Sequence, residues 1–127
     1  IDFYMEKGEQ KYLMEVKGCT LEIDGIGYFP DAPSERAVRH LHELMHAVKQ
    51  GYHCILAFVI AMPGVMVVRP NMTTHPAFGQ ALSEAMAAGV EVWYLPCEIT
   101  ADSIQIKGRK RKYYSVQDRL YPHVVIQ

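Results

Sequence analysis

The sequence has no apolar run long enough to cross a membrane: its longest, Cys54 to Met62, covers nine residues, against the roughly 20 that a spanning helix needs. No basic segment with an apolar stretch and a small-residue cleavage site stands at its start, so neither an anchor nor an export signal is read there. Cysteine is scarce. Cys19, Cys54 and Cys97 form no C-x-x-C pair, which excludes a disulfide framework and a zinc ribbon. Their apolar surroundings predict buried free thiols in a reducing cytoplasm, where the sequon Asn71-Met72-Thr73 carries no glycan. Repeats and low-complexity segments are absent too. What remains is ordinary for a globular chain: 127 residues, 50% hydrophobic and 21% charged, which exclude disorder, collagen and coiled coil and predict a single domain. The chain opens at Ile1, without an initiator Met and inside a strand-like run, which predicts a piece of a longer protein.

Overall the formal charge is only -1, but it is unevenly distributed. Residues 1–106 carry 7 basic and 13 acidic side chains, whereas residues 107–127 carry 6 basic and 1 acidic. Five of the tail's charges are Lys107, Arg109, Lys110, Arg111 and Lys112, followed by Tyr113 and Tyr114. Such a segment suits phosphate contact and base stacking, and equally a solvated terminus.

Polar and apolar residues alternate over 2–6 and 11–17, predicting two half-buried strands joined by a type II′ turn at Gly8-Glu9. A short extended run, Leu21 to Ile23, precedes residues 24–27 and 29–33, read as loops. Ser34 and Gly51 bracket a helix with an apolar stripe of Val38, Leu41, Leu44, Met45 and Val48. Cys54 to Ala61 predicts a central strand covered on both faces. An extended piece follows over Val65 to Val68, then a helix from Pro76 to a Gly89 cap. A buried strand over Val90 to Leu95 and an edge strand over Ile99 to Ile106 complete an α/β fold, a mixed sheet with helices on its faces.

The hairpin register yields one candidate site. A two-residue loop at Gly8-Glu9 pairs residues whose numbers sum to 17, so Asp2 faces Glu15, and period-two alternation puts Lys17 on the same side. Opposed carboxylates repel unless a hard divalent cation lies between them, and Mg²⁺, with Mn²⁺ as a substitute, suits oxygen ligands. Such a trio can hydrolyse a phosphodiester, with Lys17 serving the attacking water. Phe3, Met5, Met14 and Val16 then point to the opposite face and serve the core.

A second candidate, His42-Glu43-Leu44-Met45-His46, matches the H-E-x-x-H zinc-protease motif on a helix. At 100° per residue, however, His42 and His46 lie about 100° and 140° from the centre of the apolar stripe. That predicts surface histidines. Lys49 and Tyr52 stand where an extended motif needs Gly and a third His. His40, at the other margin of the stripe and beyond Glu35 and Arg36, is the histidine to follow.

Ile1-Asp2-Phe3, Glu15-Val16-Lys17-Gly18-Cys19-Thr20-Leu21, Tyr28 to Arg36 with Phe29-Pro30-Asp31-Ala32, Arg39-His40-Leu41 and Ala88-Gly89-Val90-Glu91-Val92 resemble, in the same order, the sugar fermentation stimulation protein A (SfsA) family. Gly18, Pro33, Ala37 and the tail after Ile106 depart from the usual pattern, but none of them touches Asp2, Glu15 or Lys17. The resemblance implies a PD-(D/E)XK, restriction-endonuclease-like domain over residues 1–106, incomplete at its N-terminus, and a separate basic tail over 107–127. It also implies a preceding OB-like nucleic-acid-binding domain, missing here. Its metal site falls on Asp2 and Glu15, with Glu35 as a third carboxylate and Lys17 as the catalytic lysine. Arg36, His40 and the tail would contact DNA or RNA. The function so implied is DNA binding with Mg²⁺-dependent phosphodiester hydrolysis. The alternative is a non-catalytic DNA-binding regulator of sugar metabolism genes.

Overall fold

A computed structural model describes residues 1–99 and 104–106. The alternating N-terminal segments form β1 (Phe3–Lys7) and β2 (Gln10–Cys19), paired antiparallel from Phe3 opposite Met14 to Lys7 opposite Gln10. This is the register predicted from the turn. Beyond β1 the Asp2 amide still donates to the Met14 carbonyl, at 3.0 Å.

One strand is as expected and one lies in a segment read largely as loop. β3 (Leu21–Ile23) and β4 (Ile26–Phe29) form a hairpin whose turn is Asp24-Gly25, both at positive φ (51° and 83°). Asp-Gly is the favoured type I′ pair, so the residues after it are a returning strand. β4 then runs parallel to β6 (Val68–Pro70), shifted C-terminally from the Val65 to Val68 expected. Contact is close here. A Cβ on Gly27 would stand 2.9 Å from Cys19 Sγ and 3.2 Å from the Val67 carbonyl, so only glycine lets this small sheet approach β2.

Helix α1 (Glu35–Lys49) is capped by the Ser34 hydroxyl, which accepts from the Ala37 amide at 3.1 Å. It delivers the chain to β5 (His53–Ile60). Helix α2 (Pro76–Ala88) begins on Pro76 and ends at left-handed Gly89, then leads into β7 (Glu91–Ile99), which runs past the expected end at Leu95 to pair antiparallel with β8 (Ile104–Ile106). The expected single edge strand over 99–106 is thus divided between β7 and β8. β2, β5 and β7 are parallel, and the main sheet has the order β1-β2-β5-β7-β8. It is a mixed sheet with two flanking helices.

Both helices lie on one face. Leu41 and Leu44 of α1, and Phe78 and Leu82 of α2, share a cluster with Leu56, Phe58, Val92 and Tyr94 of the sheet. Period two then settles β2: Leu13 and Cys19 belong to this larger cluster, while Met14 and Val16 join Ile55, Ala57, Trp93 and Leu95 on the opposite face. The expectation for the hairpin is therefore corrected. Glu15 and Lys17 stand on the helix-covered face, and Phe3 and Met5, assigned to the core, are exposed. β1 is an edge strand with every residue accessible. No helix among the described residues is long and apolar enough to cross a membrane.

Candidate functional site

Among the described residues Glu15 is the buried carboxylate: it is 3% exposed in the middle of β2, where a lone carboxylate would be costly. It is partnered from two elements. Lys17, two residues along the strand, brings Nζ to 3.2 Å from Glu15 Oε1. His40, from the sheet-facing side of α1, brings Nδ1 to 2.8 Å from the same oxygen. Lys17 Nζ and His40 Nδ1 are themselves 2.8 Å apart, and Arg36, one turn earlier on α1, points Nε at His40 Nε2 at 3.4 Å.

The second carboxylate oxygen is different. Glu15 Oε2 lies 3.2 Å from the Ile1 ammonium, an ion-pair distance. It is nevertheless a buried oxygen that no donor meets in hydrogen-bonding geometry. Asp2, itself exposed, accepts the amide of Val16 on Oδ2 at 2.7 Å, which places its carboxylate on the peptide directly after Glu15. The two carboxylates are brought to the same end of the hairpin.

Glu35 does not join them; it is exposed in the first turn of α1, where its charge faces the amide end of the helix. Arg36 and His40, expected at a nucleic-acid surface, instead reach Glu15 as a chain of contacts. Lys107, Arg109, Lys110, Arg111 and Lys112 lie outside the described residues. His42 and His46 are exposed on α1, as the helical wheel predicts.

Among the described residues no three His, Cys, Asp or Glu side chains form a metal cage. That bears on which ion fits. Mg²⁺ keeps most of its water and is commonly held by one or two carboxylates, with substrate supplying further oxygens. A buried carboxylate oxygen that no hydrogen-bond donor meets, with a second carboxylate held at the same end of the hairpin, matches that requirement, and it does not match zinc.

Two residues that the sequence did not mark determine where α1 starts. Asn71 donates from its side chain to the Pro30 carbonyl at 3.0 Å and from its backbone to the Phe29 carbonyl at 2.8 Å. His75, buried at the N-cap of α2, accepts the Ser34 amide on Nδ1 at 2.9 Å. Together they clamp residues 29–34 and so aim Arg36 and His40 at β2. The only local signal was Pro76, which marks position 75 as a cap; the partners lie 41 residues away.

Comparison with known proteins gives the family and the fold. Residues 1–103 match the family model described as the sugar fermentation stimulation protein RE domain. The chain belongs to the SfsA family. Over 104 residues it is 50% identical to a sugar fermentation stimulation protein homolog of Desulfitobacterium hafniense (strain Y51), covering 82% of this chain and 46% of that protein. A homolog from Clostridium beijerinckii is 46% identical over 106 residues, covering 84% and 47%. The chain thus spans about half the length of these SfsA relatives. Among solved structures, that of Pyrococcus furiosus SfsA in complex with Ca²⁺ is similar, with a TM-score of 0.78 and 28% identity, covering 86% of this chain and 48% of that one.

Proposed function

We propose that this chain is the nuclease-like PD-(D/E)XK part of a DNA-binding SfsA protein, and that Asp2, Glu15 and Lys17 form a divalent-metal-dependent phosphodiesterase site. The observation that carries the reading is Glu15: a buried carboxylate with one oxygen held by Lys17 and His40 and the other without a hydrogen-bond donor. The Pyrococcus relative, solved with Ca²⁺, supports an oxygen-ligated cation in this family.

Asp2 and Glu15 would hold the ion, which when bound supplies Lewis acidity toward a phosphoryl oxygen and lowers the pKa of a coordinated water. The chain does the rest. Val16 fixes Asp2 through its amide. Lys17, with a side chain 15% exposed, can present its remaining ammonium protons to the attacking water or to charge developing on phosphate. Arg36, exposed at the rim, adds a cation on the side from which a polyanion must approach.

The test is a cleavage assay on DNA and RNA with Mg²⁺ or Mn²⁺, using this chain and a full-length relative, beside Lys17→Ala. The expected outcome is metal-dependent cleavage that the substitution lowers by about 10²-fold. One observation favours a second reading, a DNA-binding regulator without catalysis. Glu15 Oε1 is satisfied by Lys17 and His40, so these three residues can also serve as a structural ion cluster. DNA binding by the full-length relative without cleavage, unaffected by chelator, would favour that alternative.

A further inference from the structure

Three groups crowd the imidazole of His40, and their hydrogen-bonding roles are not compatible with every form of the ring. Nδ1 is 2.8 Å from Glu15 Oε1 and 2.8 Å from Lys17 Nζ, while Nε2 is 3.4 Å from Arg36 Nε. An ionised carboxylate only accepts, and an ammonium or a guanidinium only donates. With the ring proton on Nε2, Lys17 can donate to Nδ1, but Nε2–H meets the Arg36 N–H head-on, and the Nδ1 lone pair faces a carboxylate oxygen. A doubly protonated ring also opposes Arg36 and places a third cation around one carboxylate. With the proton on Nδ1, every contact but one is satisfied: Nδ1 donates to Glu15, and Nε2 accepts from Arg36. The exception is Lys17, whose ammonium faces the Nδ1 proton at 2.8 Å with no acceptor on the ring and keeps its bond to Glu15 Oε1 at 3.2 Å.

We infer that Arg36 is a positioning residue: by donating to Nε2 it holds His40 in the Nδ1-protonated tautomer, which grips Glu15 and leaves Lys17 with protons for an oxyanion ligand. The tautomer rests on geometry alone. The consequence for Lys17 deepens the proposed site, because an oxyanion such as a phosphodiester is the ligand a lysine in that state receives. Arg36 is exposed, so its substitution spares the core.

The test is long-range proton–nitrogen correlation NMR on the chain labelled with ¹⁵N in its histidine rings. Among the six histidines, His40 is assigned by its loss in His40→Gln. The wild type should show His40 protonated on Nδ1. Arg36→Gln, whose amide nitrogen occupies the place of the arginine Nε, should retain that pattern. Arg36→Met reaches equally far without a donor, and should raise the Nε2-protonated fraction roughly fivefold, the factor one hydrogen bond is worth. A wild-type ring protonated on Nε2 or on both nitrogens would overturn the inference, as would an Arg36→Met spectrum identical to wild type, which would mean that Glu15 alone sets the tautomer. Absence of metal-dependent cleavage beside the expected spectra would remove the nuclease reading and leave this one standing.

Discussion

At the scale of single residues, the cost of burying Glu15 is what the site has to answer. Lys17→Met removes one of the two groups on Oε1 and should lower cleavage by about 10²-fold, the loss seen when a charge-stabilising donor is deleted. It should also destabilise the fold by about 1–3 kcal/mol, since a buried carboxylate loses a partner; urea titration measures the second effect independently of the first. A metal held by Asp2 and Glu15, as proposed, would add binding free energy to folding. Millimolar Mg²⁺ or Ca²⁺ should therefore raise the melting temperature of the wild type and leave that of Glu15→Gln unchanged, as scanning calorimetry would record.

The cysteines are a separate matter of burial. Desolvation pushes the Cys54 thiol up to about 11 from an ordinary 9, and burial raises Cys19 and Cys97 as well. Between these values the unfolded thiol has lost its proton and the folded one has kept it. The unfolded state then binds fewer protons, and stability falls as pH rises. Cys54→Ala should reduce the decline in urea midpoint above about pH 9, and a decline of unchanged slope would remove Cys54 from the account. Tyr4 rises in the same sense, to about 12, chiefly through the hydrogen bond its hydroxyl donates to Glu6.

At the scale of elements, the caps decide whether α1 carries His40 to the sheet. Ser34→Ala deletes the acceptor of the Ala37 amide and should cost about 1 kcal/mol in denaturant unfolding, with a loss in cleavage if the helix start shifts. Gly89 ends α2 at φ 110°, and an added Cβ would meet only Val48 Cγ1 at an ordinary 3.5 Å. Gly89→Ala should therefore cost about 1–2 kcal/mol through backbone strain alone, without disturbing the site. Both helices were legible in the sequence because caps and apolar stripe agreed within a single segment. β4 was not, and β6 was only displaced. β4 is short, and Gly27 within it lets it lie against Cys19 and the Val67 carbonyl, a contact between segments that no local pattern announces.

At the scale of the whole molecule, charge sets what the chain can do with a polyanion. Residues 1–106 hold 7 basic against 13 acidic side chains and the tail reverses the balance. DNA binding by the chain should therefore be weak, and removal of residues 107–127 should weaken it further. The truncation should also flatten the salt dependence by roughly 0.9 in log K against log salt for each phosphate that the tail no longer neutralises. Titrations at several ionic strengths compare the two slopes; equal slopes would make the tail a spectator.

The sequence by itself determined the hairpin register, because a two-residue turn and strict alternation leave one way to pair β1 with β2, and that register set Glu15 and Lys17 on one face and brought Asp2 to the Val16 amide. It also determined the family, through residues such as Phe29-Pro30-Asp31-Ala32 whose order was visible without coordinates. Only the tertiary structure decided which sheet face the helices cover. Alternation says that Glu15 and Met14 point opposite ways, but not which of them meets α1, and the answer put the charged face underneath the helix. The junction of Arg36, His40, Lys17 and Glu15 follows from that choice, as does the clamp of Asn71 and His75 on the start of α1. These contacts join groups up to 42 residues apart, and their directions exist only once the crossover from β2 through α1 to β5 has closed.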